Sequence, residues 1–179
     1  MKIKALIAAA VLLLPLAANA FEDTVEKVSR SFQLTYPNGQ QETIVVEWTA
    51  VVSTEYQRHG SASTWKHPID DRSCTWSSTA SVVRQAYFVS AAGIRAPITE
   101  SLQVFNSVQN DKRGPRNFIQ AAGGYHTTCG DQMGKIQATH AATINSMKGA
   151  VQDVVDADAE DAEKNLMALL KPIKIQKFA

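Results

Sequence analysis

The chain has 179 residues, with 18 Lys and Arg against 17 Asp and Glu, four His and two Cys, and a formal charge of +1. So even a balance supplies no electrostatic footprint for nucleic acid, and none is expected as a partner. Beyond the first twenty residues no apolar run approaches ~18, so no membrane-spanning helix is expected, and the strands found below are too few for an outer-membrane barrel.

The opening MKIKALIAAAVLLLPLAANA sets Lys2 and Lys4 before an apolar run from Ala5 to Leu16, then ends in the small-x-small trio Ala18-Asn19-Ala20. That is the layout of a secretory signal peptide. It predicts cleavage near Ala20-Phe21 and a periplasmic or secreted bacterial protein. The mature part, 179 − 20 = 159 residues with a charge of 16 − 17 = −1, suits a single α+β domain over 21–179.

From Val28 to Tyr36 and again from Ile44 to Tyr56 the even positions carry most of the apolar side chains: Phe32, Leu34, Val46, Trp48, Val52. Period-two alternation predicts two half-buried strands. A two-residue Asn-Gly turn between them would oppose Phe32 to Val45 and set an apolar face beside a polar one. A three-residue loop, with Pro37 and Asn38 in a type I turn and Gly39 left-handed, opposes Phe32 to Ile44 and Val28 to Trp48 instead.

Gln57 to Ser73, QRHGSASTWKHPIDDRS, then reads as a long loop, and loops of this length are usually functional or disordered. Its Arg58, His59, Trp65, Lys66 and His67 form the candidate binding set, because Trp and Arg dominate binding hot spots. The alternative is that Trp65 folds back to plug the core edge. Asp70-Asp71 lacks the separation glycosidase acids need and suits a turn.

Alternation returns over Cys74 to Phe88 and Ile98 to Val108, joined by AAGIRAP, whose Gly and Pro mark a turn. QNDKRGPRN, 109–117, reads as a basic surface turn. The expected sheet is antiparallel, with at least four strands over about residues 25–110.

After Gly124 the period changes. Met133, Ile136, His140, Ile144, Met147, Val151 and Val154 form a helical stripe, continued by Ala162, Leu166 and Leu169 until Pro172. Gly149 is expected to kink or split this helix. Thr128-Cys129-Gly130-Asp131 resembles a capping box with Asp in place of Glu. The acidic run Asp153, Asp156, Asp158, Glu160, Asp161 and Glu163 is most simply a solvated face. Strands followed by a long amphipathic helix or helix pair packed on them give α+β. The tail KPIKIQKFA, with Lys171, Lys174 and Lys177, reads as a solvated end or short edge strand rather than a polyanion contact.

Three sites invite chemistry. Cys129 in a helix's first turn near His126 has the look of an activated thiol. Two lone cysteines in an oxidising compartment argue instead for a Cys74–Cys129 disulfide enclosing 129 − 74 − 1 = 54 residues. His140 has Ile136 and Ile144 one turn either side, so it reads as a buried or half-buried neutral histidine rather than a ligand. His59, His67 and His126 lie scattered in loops without zinc spacing. No metal or cofactor is expected.

The function these features favour is non-enzymatic binding of another envelope or secreted macromolecule, as an inhibitor, immunity or envelope-assembly factor does. One alternative is an envelope hydrolase using His126, His140 or Asp70-Asp71. Another is a structural protein that forms a homodimer through its C-terminal helix.

Overall fold

Among the described residues, seven antiparallel strands form one sheet whose even-numbered face carries two consecutive helices. The structure is a computed structural model, and residues 19–59, 73–98, 101–108, 119–123, 128–171 and 174–177 are described. Strands β1 (Asn19–Thr35), β2 (Gln41–His59) and β3 (Ser73–Val89) are long, and β2 draws on the β-branched run around Ile44 to Val52. Beyond β3 the edge is shared by three short strands, β4 (Arg95–Pro97), β5 (Leu102–Asn106) and β6 (Ile119–Ala122). The opposite edge, β1, is covered by β7 (Lys174–Lys177). The tail is therefore an edge strand.

The β1–β2 turn is the three-residue type expected. The Gly39 amide donates to the Tyr36 carbonyl, the Tyr36 amide donates to Gln40, and Gly39 takes φ +84°. Phe32 faces Ile44 and Val28 faces Trp48. The β3–β4 turn repeats the device with Gly93 at φ +76°, and the last three residues of AAGIRAP, Arg95–Pro97, are strand and not connection.

Two bulges set which residues face inward. In β1 the register shifts at Val25, so Asp23 and Phe21 lie opposite Val52 and Thr54 and odd residues join the even-numbered face. In β5 a shift between Val82 and Val83 makes Val104 the extra residue. Val104 and Phe105 are both buried, while Leu102 and Val108, expected inside by alternation, are about half exposed.

The helix region divides where Gly149 sits, into α1 (Met133–Lys148) and α2 (Val151–Leu170). The stripe from Ile136 to Leu166 is buried on the sheet apart from half-buried Ile144, whereas Leu169 is exposed. The apolar face available for a coiled coil is thus used internally. Most of α1's second half and α2 covers the main core around Trp48, Phe32, Leu34 and Phe105. Each such side chain contributes roughly 1.5–3 kcal/mol of burial. The first half of α1 covers a smaller cluster of Cys74, Trp76 and Ile136.

Candidate functional site

Polar residues interrupt the buried face in two places. Under α1, Thr54 of β2 and Ser78 of β3 are fully buried and joined at 2.9 Å. His140, 6% exposed, sets Nδ1 2.8 Å from Thr54 Oγ1 and Nε2 3.1 Å from Asp23 Oδ2. An ionised carboxylate only accepts, so Nε2 carries the proton in that bond. Phe21 packs edge-on against the imidazole at 4.7 Å between centroids. His140 is buried as expected, but it is a bonded member of a four-residue chain rather than a filler of the stripe.

The order Asp23, His140, Thr54 has the connectivity of an acid–base–nucleophile triad. Its exposures run the wrong way: the Asp23 side chain is 66% exposed and Thr54 is sealed. A nucleophile must reach its substrate, and among the described residues Thr54 Oγ1 bonds Ser78 and His140 alone. This arrangement locks α1 to the sheet.

Under α2, Asp158 is 1% exposed. It accepts from Trp48 Nε1 and from Arg84 Nη1, each at 2.8 Å, which corrects its assignment to a solvated acidic face. Arg84 stands opposite Trp48 on the neighbouring strand, at an inward position between Val82 and Ala86. Arg30 lies over the Trp48 ring at 5.9 Å and pairs with Asp156. A buried unpaired charge is costly, which is met at Arg84 and Asp158 by pairing; Arg30 and Asp156 form a second, more exposed pair between the sheet and α2.

Beside this pair a cavity of about 390 Å³ opens between α2 and the sheet. Val46, Ala86, Ala162 and Leu166 wall it, Arg84 lines it, and Leu102 and Leu169 border it alongside Ser101 and Asn165. Among the described residues no group of three His, Cys, Asp or Glu side chains is placed to hold a metal ion, and no helix is long and apolar enough to cross a membrane.

The cysteines form the Cys74–Cys129 disulfide, so Cys129 is no thiolate. It lies in a turn ahead of α1 rather than in the helix's first turn. The reciprocal bonds are those of the expected capping box, but they close that turn, while the N-cap of α1, Gln132, has no side-chain cap: Thr128 donates its amide and its hydroxyl to Asp131 Oδ2 at 2.9 and 2.8 Å, and the Asp131 amide donates back to Thr128 Oγ1. The backbone and hydroxyl bonds from Thr128 hold the Asp131 carboxyl below its ordinary value.

Of the candidate binding set, Arg58 and His59 prove to be strand residues, paired with Cys74 and Ser73, which shortens the expected loop at both ends. Arg58 is exposed and has no partner among the described residues. Trp65, Lys66 and His67 lie outside the described residues, as do Asp70, Asp71, His126 and the 109–117 turn. Arg58 is not among the residues that line the cavity, a site sequence reading missed. Its signal was present in two pattern breaks, Arg84 on an inward strand position and Asp158 on the helical stripe. Comparison with protein-family models, curated protein sequences and solved structures finds no match to this chain.

Proposed function

We propose that the protein is a non-enzymatic, exported binding protein that recognises another macromolecule through the β2–β3 hairpin end. The reading rests chiefly on one observation. Arg58 is exposed and unpartnered among the described residues, directly opposite Cys74, whose disulfide ties that end of the hairpin to the turn before α1. The backbone that carries it is stiffened by the strand pairing and the disulfide, so less of the chain has to be ordered on binding, which favours affinity. Export is supported by the leader-like residues 1–20, and the disulfide is compatible with an oxidising compartment.

The test is capture of a partner from the envelope fraction with the mature chain, followed by titration. Arg58→Glu and Trp65→Ala are each expected to weaken binding by about 2 kcal/mol or more while leaving the urea midpoint in place. A Trp65→Ala protein that melts far below wild type yet binds normally when folded would remove the hairpin end as the site.

A further inference from the structure

We propose that the cavity beneath α2 binds a single-chain acyl carboxylate, its tail along the apolar walls and its head on Arg84. This site is separate from the hairpin end and does not depend on it.

The volume fits. At about 30 Å³ per water-sized group, 390 Å³ holds about a dozen such groups, enough for a tail of about ten carbons and one head. It also falls within the usual range for ligand pockets. The walls Val46, Ala86, Ala162 and Leu166 are buried or nearly so, and Leu102 and Leu169 are 50% and 55% exposed at the border. Two half-exposed leucines facing one apolar cavity give a tail a continuous path inward.

The head assignment comes from Arg84. Its guanidinium carries five N–H donors in a planar fork. Only Nη1 is used, by Asp158, and the remaining nitrogens have no acceptor among the described residues. Asp158, itself fixed by Trp48, holds the plane of the fork, and a carboxylate matches such a fork with two parallel bonds. Two features oppose an anion and shape the controls. Asp158 already balances the Arg84 charge, which would suit a neutral head, and α2 carries Glu160, Asp161 and Glu163, which would suit a cationic one.

The purified protein is titrated with decanoate, decanol and decyltrimethylammonium, each kept monomeric, by calorimetry and by the indole N–H resonance of Trp48. That proton bonds Asp158, so a head engaging Arg84 shifts it. Decanoate is expected to bind saturably at one site and at least about tenfold more tightly than decanol, the worth of a charge-assisted pair. Arg84→Lys, which keeps the charge and loses the fork, should weaken it by about tenfold. Leu102→Asp and Leu169→Asp, made separately at half-exposed positions that folding tolerates, should abolish it, and they decide the matter if Arg84→Lys fails to fold. Absence of saturable decanoate binding, decanol or the cation binding as well, or unchanged affinity in both aspartate variants would overturn the proposal.

Discussion

The two helices sit on one continuous sheet face, yet they are fastened to it by different means. The first half of α1 sets Ile136 in a small cluster with Cys74 and Trp76, edged by part-buried Phe21, Tyr56, Ala121 and Cys129, and it is held by a disulfide at its entrance and a chain of polar groups, Ser78, Thr54, His140 and exposed Asp23, at its centre. The second helix covers the main core and is held by a buried ion pair, Arg84–Asp158, with an indole donor. The difference follows from how much apolar area each half can bury. A thin core needs a covalent staple. A thick core excludes enough water to make an ion pair strong, and it can also leave a cavity beside that pair. The end with the staple suits presentation of a surface, and the end with the cavity suits enclosure of a ligand.

The sharpest way to break the contrast is to remove the staple. Loop-closure entropy for the 55-residue separation corresponds to about 4 kcal/mol, so Cys74→Ser/Cys129→Ser should lose about that much in urea unfolding. Hydrogen exchange should rise first around Ile136 and His140 and later in α2. Purified protein should show no Ellman-reactive thiol until reduced. Uniform loosening of both helices would mean that the two halves are not separately fastened.

Next in size is Asp158→Ala. Removing one partner of a buried pair strands the other charge, at a cost of about 3–5 kcal/mol. Arg84 lines the cavity, and water reaching it there places the expected loss near the lower figure. The double change Arg84→Met/Asp158→Leu should recover much of it. A double variant as unstable as the single one would show that geometry around Trp48, not the stranded charge, sets the cost.

These two fasteners were unequally legible in the sequence. The disulfide followed from a count of two cysteines and the leader-like pattern of residues 1–20. The strands followed from period-two alternation, the three-residue turn from register, and the helix break from Gly149. The ion pair was missed because Asp158 stands among Asp156, Glu160 and Asp161, whose exposure makes the whole run look solvated. Yet 154, 158, 162 and 166 step by one helical turn, so Asp158 belongs to the buried stripe. Arg84 was hidden likewise, skipped together with Ser78 in an alternation whose other members are apolar. Bulges were the second obstacle. A single extra residue at Val25 or Val104 inverts the parity beyond it, and nothing local announces that, so Asp23 and Phe105 were not expected on the helix-bearing face. The cavity was illegible because its lining comes from β2, β3, β5 and α2, brought together by packing that no periodicity encodes.

A smaller effect tests the polar chain under α1. Were His140 a filler of the stripe, Leu there would be neutral or stabilising. Given its bonds to Thr54 and Asp23, His140→Leu should cost about 1–2 kcal/mol. Thr54 keeps Ser78, and exposed Asp23 returns to water, so the loss stays moderate. Thr54→Val, which removes the same link from the other side, should cost a similar amount, and the double variant less than the sum. Additive losses would show that the two residues act independently.

The smallest effect is a pH dependence carried by one exposed carboxylate at each helix. Asp131 is held below its ordinary value by the backbone amide and hydroxyl of Thr128, and Asp156 by Arg30 and then Gln152. A group whose folded value is lowered contributes stability fully above its unfolded value of about 3.9, and that contribution fades as pH falls through the folded value. Urea midpoints followed from pH 6 to 2 should therefore fall less steeply for Asp131→Asn and for Asp156→Asn than for wild type. The two should part company in salt. The main donor to Asp156 is a charged, partly exposed guanidinium, so its share of the slope should shrink as ionic strength rises. Asp131 is bonded to uncharged donors, so its share should persist at 1 M salt. Equal slopes for wild type and Asp131→Asn would mean that the turn carrying Cys129 is held by the disulfide alone, and that the capping box adds nothing to the fastening of α1.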